Sequence, residues 1–148
     1  MQITRRFVFL LAVSFLPVLT ASAADPVNKN SSGVAIKGYD PVAYFTESKP
    51  VKGMPSFTHQ WNGATWQFSS AANRDLFAAS PEKYAPQFGG YCAYGVSQNH
   101  TAQIDPEAWT VIDGKLYLNY SQGVKKTWSQ ATPKYIEQAQ KNWPALVK

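Results

Sequence analysis

The sequence predicts a small α+β fold, in which two β-hairpin–helix units share an aromatic core and are followed by a C-terminal helix. Two strand-like segments are each interrupted by a dipeptide that readily forms a tight turn, Asn62-Gly63 and Asp113-Gly114. A serine that can cap a helix follows each hairpin, Ser70 in the first and Ser121 in the second. Aromatic residues make up 14% of the chain, which is enough to fill one core.

The first unit begins with a short helix. Asp40 can accept hydrogen bonds from free backbone N–H groups, and Pro41 suits the first helical position. The segments 56–61 and 65–68 then form the strands of the first hairpin.

A helix running from Ser70 to about Ala79 follows this hairpin, with Leu76 and Phe77 directed toward the core. Ser80-Pro81 is expected to start another short helical turn.

The second unit repeats this order. Segments 109–112 and 115–120 are the strands, and Ser121 starts a helix that reaches about Gln130. Thr132-Pro133 caps and begins a last helix, which is expected to end near 143–144.

The two units also resemble each other residue by residue, from Gly63 and Gly114 to Pro81 and Pro133, which indicates an internal duplication; chance similarity is the alternative. The segment 86–108 is then a long connection without a counterpart in the repeat. Long ordered connections often carry function.

The first 23 residues have the pattern of an export signal. Basic residues precede an apolar segment from Phe7 to Leu19, and Ala21-Ser22-Ala23 is a small-residue cleavage site. Arg5-Arg6 is compatible with the twin-arginine route as well as the general secretory one. We therefore expect a bacterial protein that is periplasmic or secreted, with an unstructured lead-in at 24–33 and the folded domain at 34–148.

Charge and hydropathy argue against nucleic-acid binding and against an integral membrane protein. Removal of the signal takes away Arg5 and Arg6 and no acidic residue, so the formal net charge falls from +5 to +3. The lysines are scattered and form no basic stripe, which argues against nucleic acid. No further apolar segment is long enough to cross a bilayer, so the mature chain is not expected to be an integral membrane protein.

The single cysteine rules out an internal disulfide and raises the question of a metal site. Thiolate, thioether and imidazole ligands together favour copper, particularly Cu(I). The candidates are Cys92, His59, His100 and Met54, although none has the close spacing of a metal motif. The alternatives are a buried packing thiol for Cys92, a half-buried strand residue for His59, and an exposed loop residue for His100.

The neighbours of Cys92 allow two interpretations. Gly89 and Gly90 let the backbone approach another group closely, and Tyr91 and Tyr94 can wall a small pocket. A tight packing turn would use the same residues.

A further hypothesis is a cysteine nucleophile with His100 or His59 as its base and Asp105 or Asp113 as the orienting acid.

Three segments resemble the small exported proteins of the YHS-domain family: "GYDPVAYF", "NGATWQFSSAANRDLFAASPEKYAPQFGGYCAYGVSQ" and "DGKLYLNY". The resemblance implies a small α+β unit with a metal role, in a family whose members occur beside copper-transporting ATPases and oxygenase components. Cysteine-bearing members have Asp-Pro-Val-Cys and later Phe-Cys-Ser-x-x-Cys, whereas this chain has Ala43, Ser69 and Asn73 at those thiol positions. Cys92 lies outside that pattern.

The leading functional hypothesis is copper binding or handling centred on Cys92, without intrinsic catalysis, in contact with a metal ion or with a metal-transport or oxidoreductase partner protein. The alternative is a metal-free module that recognises a partner or small ligand through the aromatic, glycine-rich turn.

Overall fold

The computed structural model describes residues 14–18 and 22–148. Most of the expected export signal, residues 1–23, lies outside this part of the chain. Two antiparallel two-stranded sheets and a set of short helices form a small α+β domain that ends in a C-terminal helix. Within the described ranges, no helix combines the length and the hydropathy that crossing a membrane requires.

The first unit follows the predicted order. Helix α1 (Ala43–Thr46) precedes strands β1 (Met54–Trp61) and β2 (Ala64–Phe68), which are joined at the predicted turn, and α2 (Ala71–Ala79) and α3 (Pro81–Tyr84) complete the unit.

The cap predicted for α2 is confirmed. The Ser70 hydroxyl accepts a hydrogen bond from the backbone N–H of Asn73 at 3.1 Å. Phe77 is fully buried as expected, but Leu76 is 43% exposed, so only one of the two predicted core residues of this helix faces inward.

The second unit consists of α4 (Ala93–Ser97), β3 (Asp105–Ile112), β4 (Lys115–Asn119), α5 (Gln122–Ser129) and α6 (Thr132–Leu146). Ser121 caps α5 through its bond to the N–H of Val124 at 3.1 Å, as predicted. The last helix differs from the prediction at both ends. Thr132 is its first residue rather than a side-chain cap, and the helix continues through Pro144 to Leu146.

The two hairpins have the same strand register. In the first, Met54 pairs with Phe68, a bulge follows, and pairing resumes at Thr58 with Gln67. Every pair of the second hairpin lies 51 residues further along, including the position of the bulge: Asp105 with Asn119, then Trp109 with Leu118. Between these two pairs the first strand of each hairpin advances four residues and the second strand one, and this shared irregularity supports the internal duplication.

The repeat extends further upstream than the sequence comparison indicated. Ile36, Lys37 and Gly38 form a left-handed turn with φ of 40°, 57° and 78°, and residues 88–90 form the same turn with φ of 55°, 62° and 82°. Asp40 follows the first turn and Cys92 the second. Their backbone N–H groups donate to the carbonyls of residues 51 and 102 at 2.8 and 3.0 Å. The prediction that the thiol segment has no counterpart is therefore wrong: Cys92 is the counterpart of Asp40.

Asp40 is a fully buried carboxylate that joins three elements of the first unit. Its Oδ1 accepts from the N–H groups of Val42 and Ala43 at the start of α1, at 2.8 and 3.3 Å. Its Oδ2 accepts from the N–H and hydroxyl of Ser69, at 2.9 and 2.7 Å, and from the side-chain amide of Asn73 at 2.8 Å. Five donors, aided by the positive end of α2, replace the water that burial removes.

Residues 24–30, which we call the N-terminal strap, are packed against the domain, so the predicted unstructured lead-in is wrong for this segment. Val27 is 1% exposed and the side chain of Asn28 donates to the carbonyl of Gly90 at 3.1 Å. Ala24 pairs in parallel with Val147 near the end of α6. The polar composition that suggested disorder instead supplies hydrogen bonds to backbone groups of the domain.

Buried aromatic and aliphatic side chains form two clusters. The larger one contains residues from both hairpins, such as Trp66, Phe68 and Leu116, which agrees with the expected shared core. The smaller one packs Tyr117 and Trp128 against α4 and α6. Tyr44 links the units because its hydroxyl donates to the carbonyl of Pro106 at 2.9 Å, and burial raises the pKa of this phenol far above its usual value.

Replacing Asp40 by Asn is expected to lower the free energy of unfolding by about 2–4 kcal/mol. Whichever way the amide is oriented, its NH₂ faces backbone or side-chain donors, which leaves buried donors unpaired. Urea unfolding followed by tryptophan fluorescence measures the loss. The matched control is Asp75→Asn, at a carboxylate whose side chain is 70% exposed, where we expect a change within about 0.5 kcal/mol. Equal losses in the two variants would contradict the role given to Asp40.

Gly89→Ala is expected to destabilise the protein by about 3 kcal/mol or more, whereas Gly63→Ala costs about 1 kcal/mol. Both glycines have positive φ, 62° and 76°, so both variants carry the same backbone strain. Only at Gly89 would a Cβ collide with the carbonyl oxygen of Pro26 in the strap, while at Gly63 nothing lies within 4 Å. Unfolding curves give the difference, and amide hydrogen exchange at Asn28, whose N–H donates to the carbonyl of Gly89 at 2.8 Å, reports whether the strap detaches. A similar loss in both variants would rule out the packing role.

Candidate functional site

An open groove of about 320 Å³ lies beside Cys92 in the second unit. Its walls come from α4, the segment before β3, the end of β4 and the start of α5. The lining is largely apolar and aromatic, and it consists of Cys92, Tyr94, Gly95, His100, Ala102, Tyr120 and Val124. A concave, mainly apolar surface of this size with a few polar groups is typical of a small-molecule site.

The thiol of Cys92 lies at the base of α4, and the residue is only 1% exposed. Its Sγ accepts from the N–H of Gly95 at 3.4 Å, and it lies 3.5 Å from Oδ1 of Asn119, to which the thiol can donate. The same Oδ1 accepts from the N–H of Tyr94 at 3.0 Å. Cys92 is thus a helix cap as well as a wall of the groove.

The groove is the counterpart of the Asp40 site. In the first unit, Oδ1 of Asp40 binds the N–H groups two and three residues later. In the second unit, two side chains accept the equivalent hydrogen bonds: Oδ1 of Asn119 accepts from the N–H of Tyr94, and Sγ of Cys92 accepts from the N–H of Gly95. The polar partners of the first unit, Ser69 and Asn73, are replaced at the equivalent positions by Tyr120 and Val124. A filled polar site in one unit is therefore an open apolar groove in the other.

The metal candidates do not all come together. Cys92 and His100 line the same groove, and the His100 ring packs close to Gly95. His59 lies in the first hairpin, opposite Trp66 and against Phe77 with ring centroids 6.1 Å apart. It is half-buried, in agreement with the strand interpretation.

Met54, the fourth metal candidate, is 48% exposed at the start of β1 and does not line the groove. In the described ranges, no group of three or more His, Cys, Asp or Glu residues is placed to hold a metal ion.

The glycines of the opening turn serve packing rather than the groove. A Cβ on Gly89 would collide with Pro26, and a Cβ on Gly90 would lie 2.5 Å from Ile36. Gly89 instead borders a separate cavity of about 140 Å³ beneath the strap.

The two tyrosines of this segment have different environments. Tyr94 lines the groove and packs edge-on against Tyr135. Tyr91 packs against Trp143, and partial burial, with a smaller contribution from the charge of Asp25, raises its pKa.

The residues proposed for a cysteine nucleophile are only partly assembled. His100 shares the groove with the thiol, but neither Asp105 nor Asp113 lines it. The Asp105 carboxylate accepts from the N–H of Glu107 at 2.9 Å, and Asp113 occupies the second hairpin turn. No acid from the predicted pair therefore orients the imidazole.

Four residues of the groove were not predicted: Gly95, Ala102, Tyr120 and Val124. Asn119, which supports the groove from below, is fully buried, and its side-chain NH₂ has no partner in the described part of the chain. A sequence signal for them exists in the two copies of Gly-Tyr, at 38–39 and 90–91, each followed by the cap residue. When these two copies are aligned, Cys92 corresponds to Asp40, and the residues around the groove correspond to those around Asp40.

The three positions where the YHS resemblance places thiols do lie together. The N–H of Ala43, the N–H and hydroxyl of Ser69 and the amide of Asn73 all donate to the carboxylate of Asp40. Hydrogen-bond donors around a carboxylate offer no soft ligand, so this chain has a structural polar site at that place.

No family model, curated protein or solved structure matches this chain. The fold and the site define a small α+β protein with two equivalent units, of which the second carries an apolar groove next to a buried thiol.

Proposed function

We propose that this protein is a binding module whose groove beside Cys92 holds a small, largely apolar molecule. The observation that carries the proposal is the contrast between the two units: the same backbone encloses a polar network at Asp40 and an open apolar groove at Cys92. Tyr94 and Tyr120 supply aromatic surface with little loss of side-chain freedom, and Val124 and Ala102 supply aliphatic surface.

The roles of the cysteine and histidine follow from this arrangement. The thiol forms part of the floor and keeps α4 in position, because its sulfur accepts the N–H of Gly95. His100 is exposed and lies at the rim, where its ring nitrogens can bind a polar part of a ligand.

The second candidate function is copper handling, which one observation favours: a thiol and an imidazole, those of Cys92 and His100, line the same groove. A thiolate and an imidazole suit Cu(I), and an apolar surrounding shields the bound ion from water. Because Cys92 is 1% exposed, its sulfur has to leave the α4 cap partly to reach an ion.

The cellular setting is proposed from the sequence. The basic, apolar and small-residue regions of 1–23 support export to the periplasm or the exterior of a bacterium. The segments that resemble YHS-domain proteins support membership of that family and a metal-transport or oxidoreductase partner.

Ethylbenzene is expected to bind in the groove of the wild-type protein. In ¹⁵N-labelled protein, titration should shift the amides of Gly95, Ala102 and Val124. Val124→Phe fills the groove and should weaken binding about tenfold or more, whereas Lys126→Phe, at an exposed position of the same helix, should leave it unchanged. Amide shifts scattered over the surface, or equal affinities for the two variants, would rule out this site.

For the copper candidate, Cu(I) titration of the reduced protein should show one site that is lost in both Cys92→Ser and His100→Ala. His59→Ala is the control, since His59 lies in the other hairpin. Loss of binding by at least about tenfold in the first two variants and not in the control is expected from removal of one of two protein ligands. Unchanged binding in Cys92→Ser would remove this function.

A further inference from the structure

We infer that the ligand of the groove is a small apolar monocarboxylate, a molecule with one carboxylate group on an aromatic or branched aliphatic body. This inference rests on the proposed function and adds the chemical class of the ligand. It follows from the hydrogen bonds that the first unit makes and the second unit lacks.

The first unit contains a carboxylate oxygen for which the second unit has no counterpart. Oδ1 of Asp40 is replaced by Sγ of Cys92 and Oδ1 of Asn119, which bind the equivalent backbone N–H groups. Oδ2 of Asp40 binds Ser69 and Asn73. The side chain of cysteine has one sulfur and no second acceptor atom. Residue 92 therefore has no acceptor that corresponds to Oδ2 of Asp40.

A donor that would bind such an oxygen is retained. The backbone N–H of Ser69 donates to Oδ2 of Asp40 at 2.9 Å. Its equivalent is the N–H of Tyr120, which follows β4 as Ser69 follows β2. This N–H has no hydrogen-bond partner in the described part of the chain, and Tyr120, which is 58% exposed, borders the groove. A ligand oxygen at the place of Oδ2 would satisfy it.

The remaining walls define the body of the ligand. The hydroxyl of Ser69 and the amide of Asn73 are replaced by the side chains of Tyr120 and Val124. The space next to the place equivalent to Oδ2 of Asp40 is therefore apolar. In the Asp40 site, three of the five donors to the carboxylate are backbone N–H groups, and the equivalent of the third, the N–H of Ser69, is the N–H of Tyr120. A ligand with a carboxylate at one end and an apolar body therefore matches the groove: the carboxylate meets the N–H of Tyr120, and the body meets the apolar walls.

The test compares phenylacetate with ethylbenzene, which has the same ring and chain length but no carboxylate. In wild-type protein, phenylacetate should bind about tenfold more tightly, the effect of one hydrogen bond to a charged group, and should move the Tyr120 amide proton downfield. Ethylbenzene should shift Val124 without that change at Tyr120.

A variant tests the position of the carboxylate. Cys92→Asp supplies the missing oxygen from the protein, as Asp40 does in the first unit, and should weaken phenylacetate binding at least tenfold through occupancy and like charge. Thr127→Asp, which adds the same charge at an exposed position of α5 outside the groove, is the control and should retain it. The Tyr120 shift in wild-type protein gives a result even where Cys92→Asp fails to fold.

The outcomes separate the two proposals. If ethylbenzene binds and phenylacetate gains nothing over it, or if the Tyr120 amide does not respond, the carboxylate inference is overturned and the binding module stands. If phenylacetate binds equally well to Cys92→Asp, the carboxylate lies elsewhere and the inference is overturned as well. If neither probe binds in the groove, the proposed function fails and the inference fails with it.

Discussion

The buried carboxylate of Asp40 is the interaction on which the first half of the domain depends. It holds the start of α1, the end of β2 and the first turn of α2 at one point through five hydrogen bonds. A carboxylate is buried at acceptable cost only when its lone pairs are bound. The geometry of these three elements is therefore fixed to within hydrogen-bond tolerances, and Tyr44 on α1 is placed to reach the carbonyl of Pro106 in the second unit.

The second unit keeps the backbone of this arrangement and changes its chemistry. The left-handed turn, the cap, the bulged hairpin and the serine-capped helix are all repeated, while the cap becomes a thiol and Asn119 supplies the second acceptor. Asn119 stands at the position of Phe68, a core residue of the first unit. The second unit therefore gains a polar side chain from the sheet and lacks the Ser69 and Asn73 side-chain donors of the Asp40 network, and the groove is the result.

The sequence predicted the elements whose signals are local. Asn62-Gly63, Asp113-Gly114 and the two capping serines each act within a few residues, and the hairpins and helices that they predicted are present. The strap was missed because its stabilising contacts are remote: Asn28 binds the carbonyl oxygens of Gly89 and Gly90, about 60 residues away.

The groove was missed for a similar reason. Five of its seven lining residues lie between Cys92 and Ala102, and only the fold brings the other two, Tyr120 and Val124, next to them. Upstream of the hairpins, the two copies of the repeat share only the dipeptide Gly-Tyr. The spacing between these dipeptides is one residue longer than the spacing between the hairpins. A one-residue loop difference is enough to hide such a match from a comparison at constant spacing.

The lone thiol is explained by its place in the repeat rather than by a cysteine motif. A cap at this position has to accept the N–H of Gly95, and sulfur does so at 3.4 Å, a longer and weaker bond than an oxygen would form. Cysteine is also among the residues most easily buried in apolar surroundings. With aspartate here, the protein itself would place a fixed negative charge in the groove beside Tyr120 and Val124, where a ligand carboxylate would meet like charge. Cysteine caps α4 without that charge, and so leaves the floor of the groove compatible with an apolar or an anionic ligand.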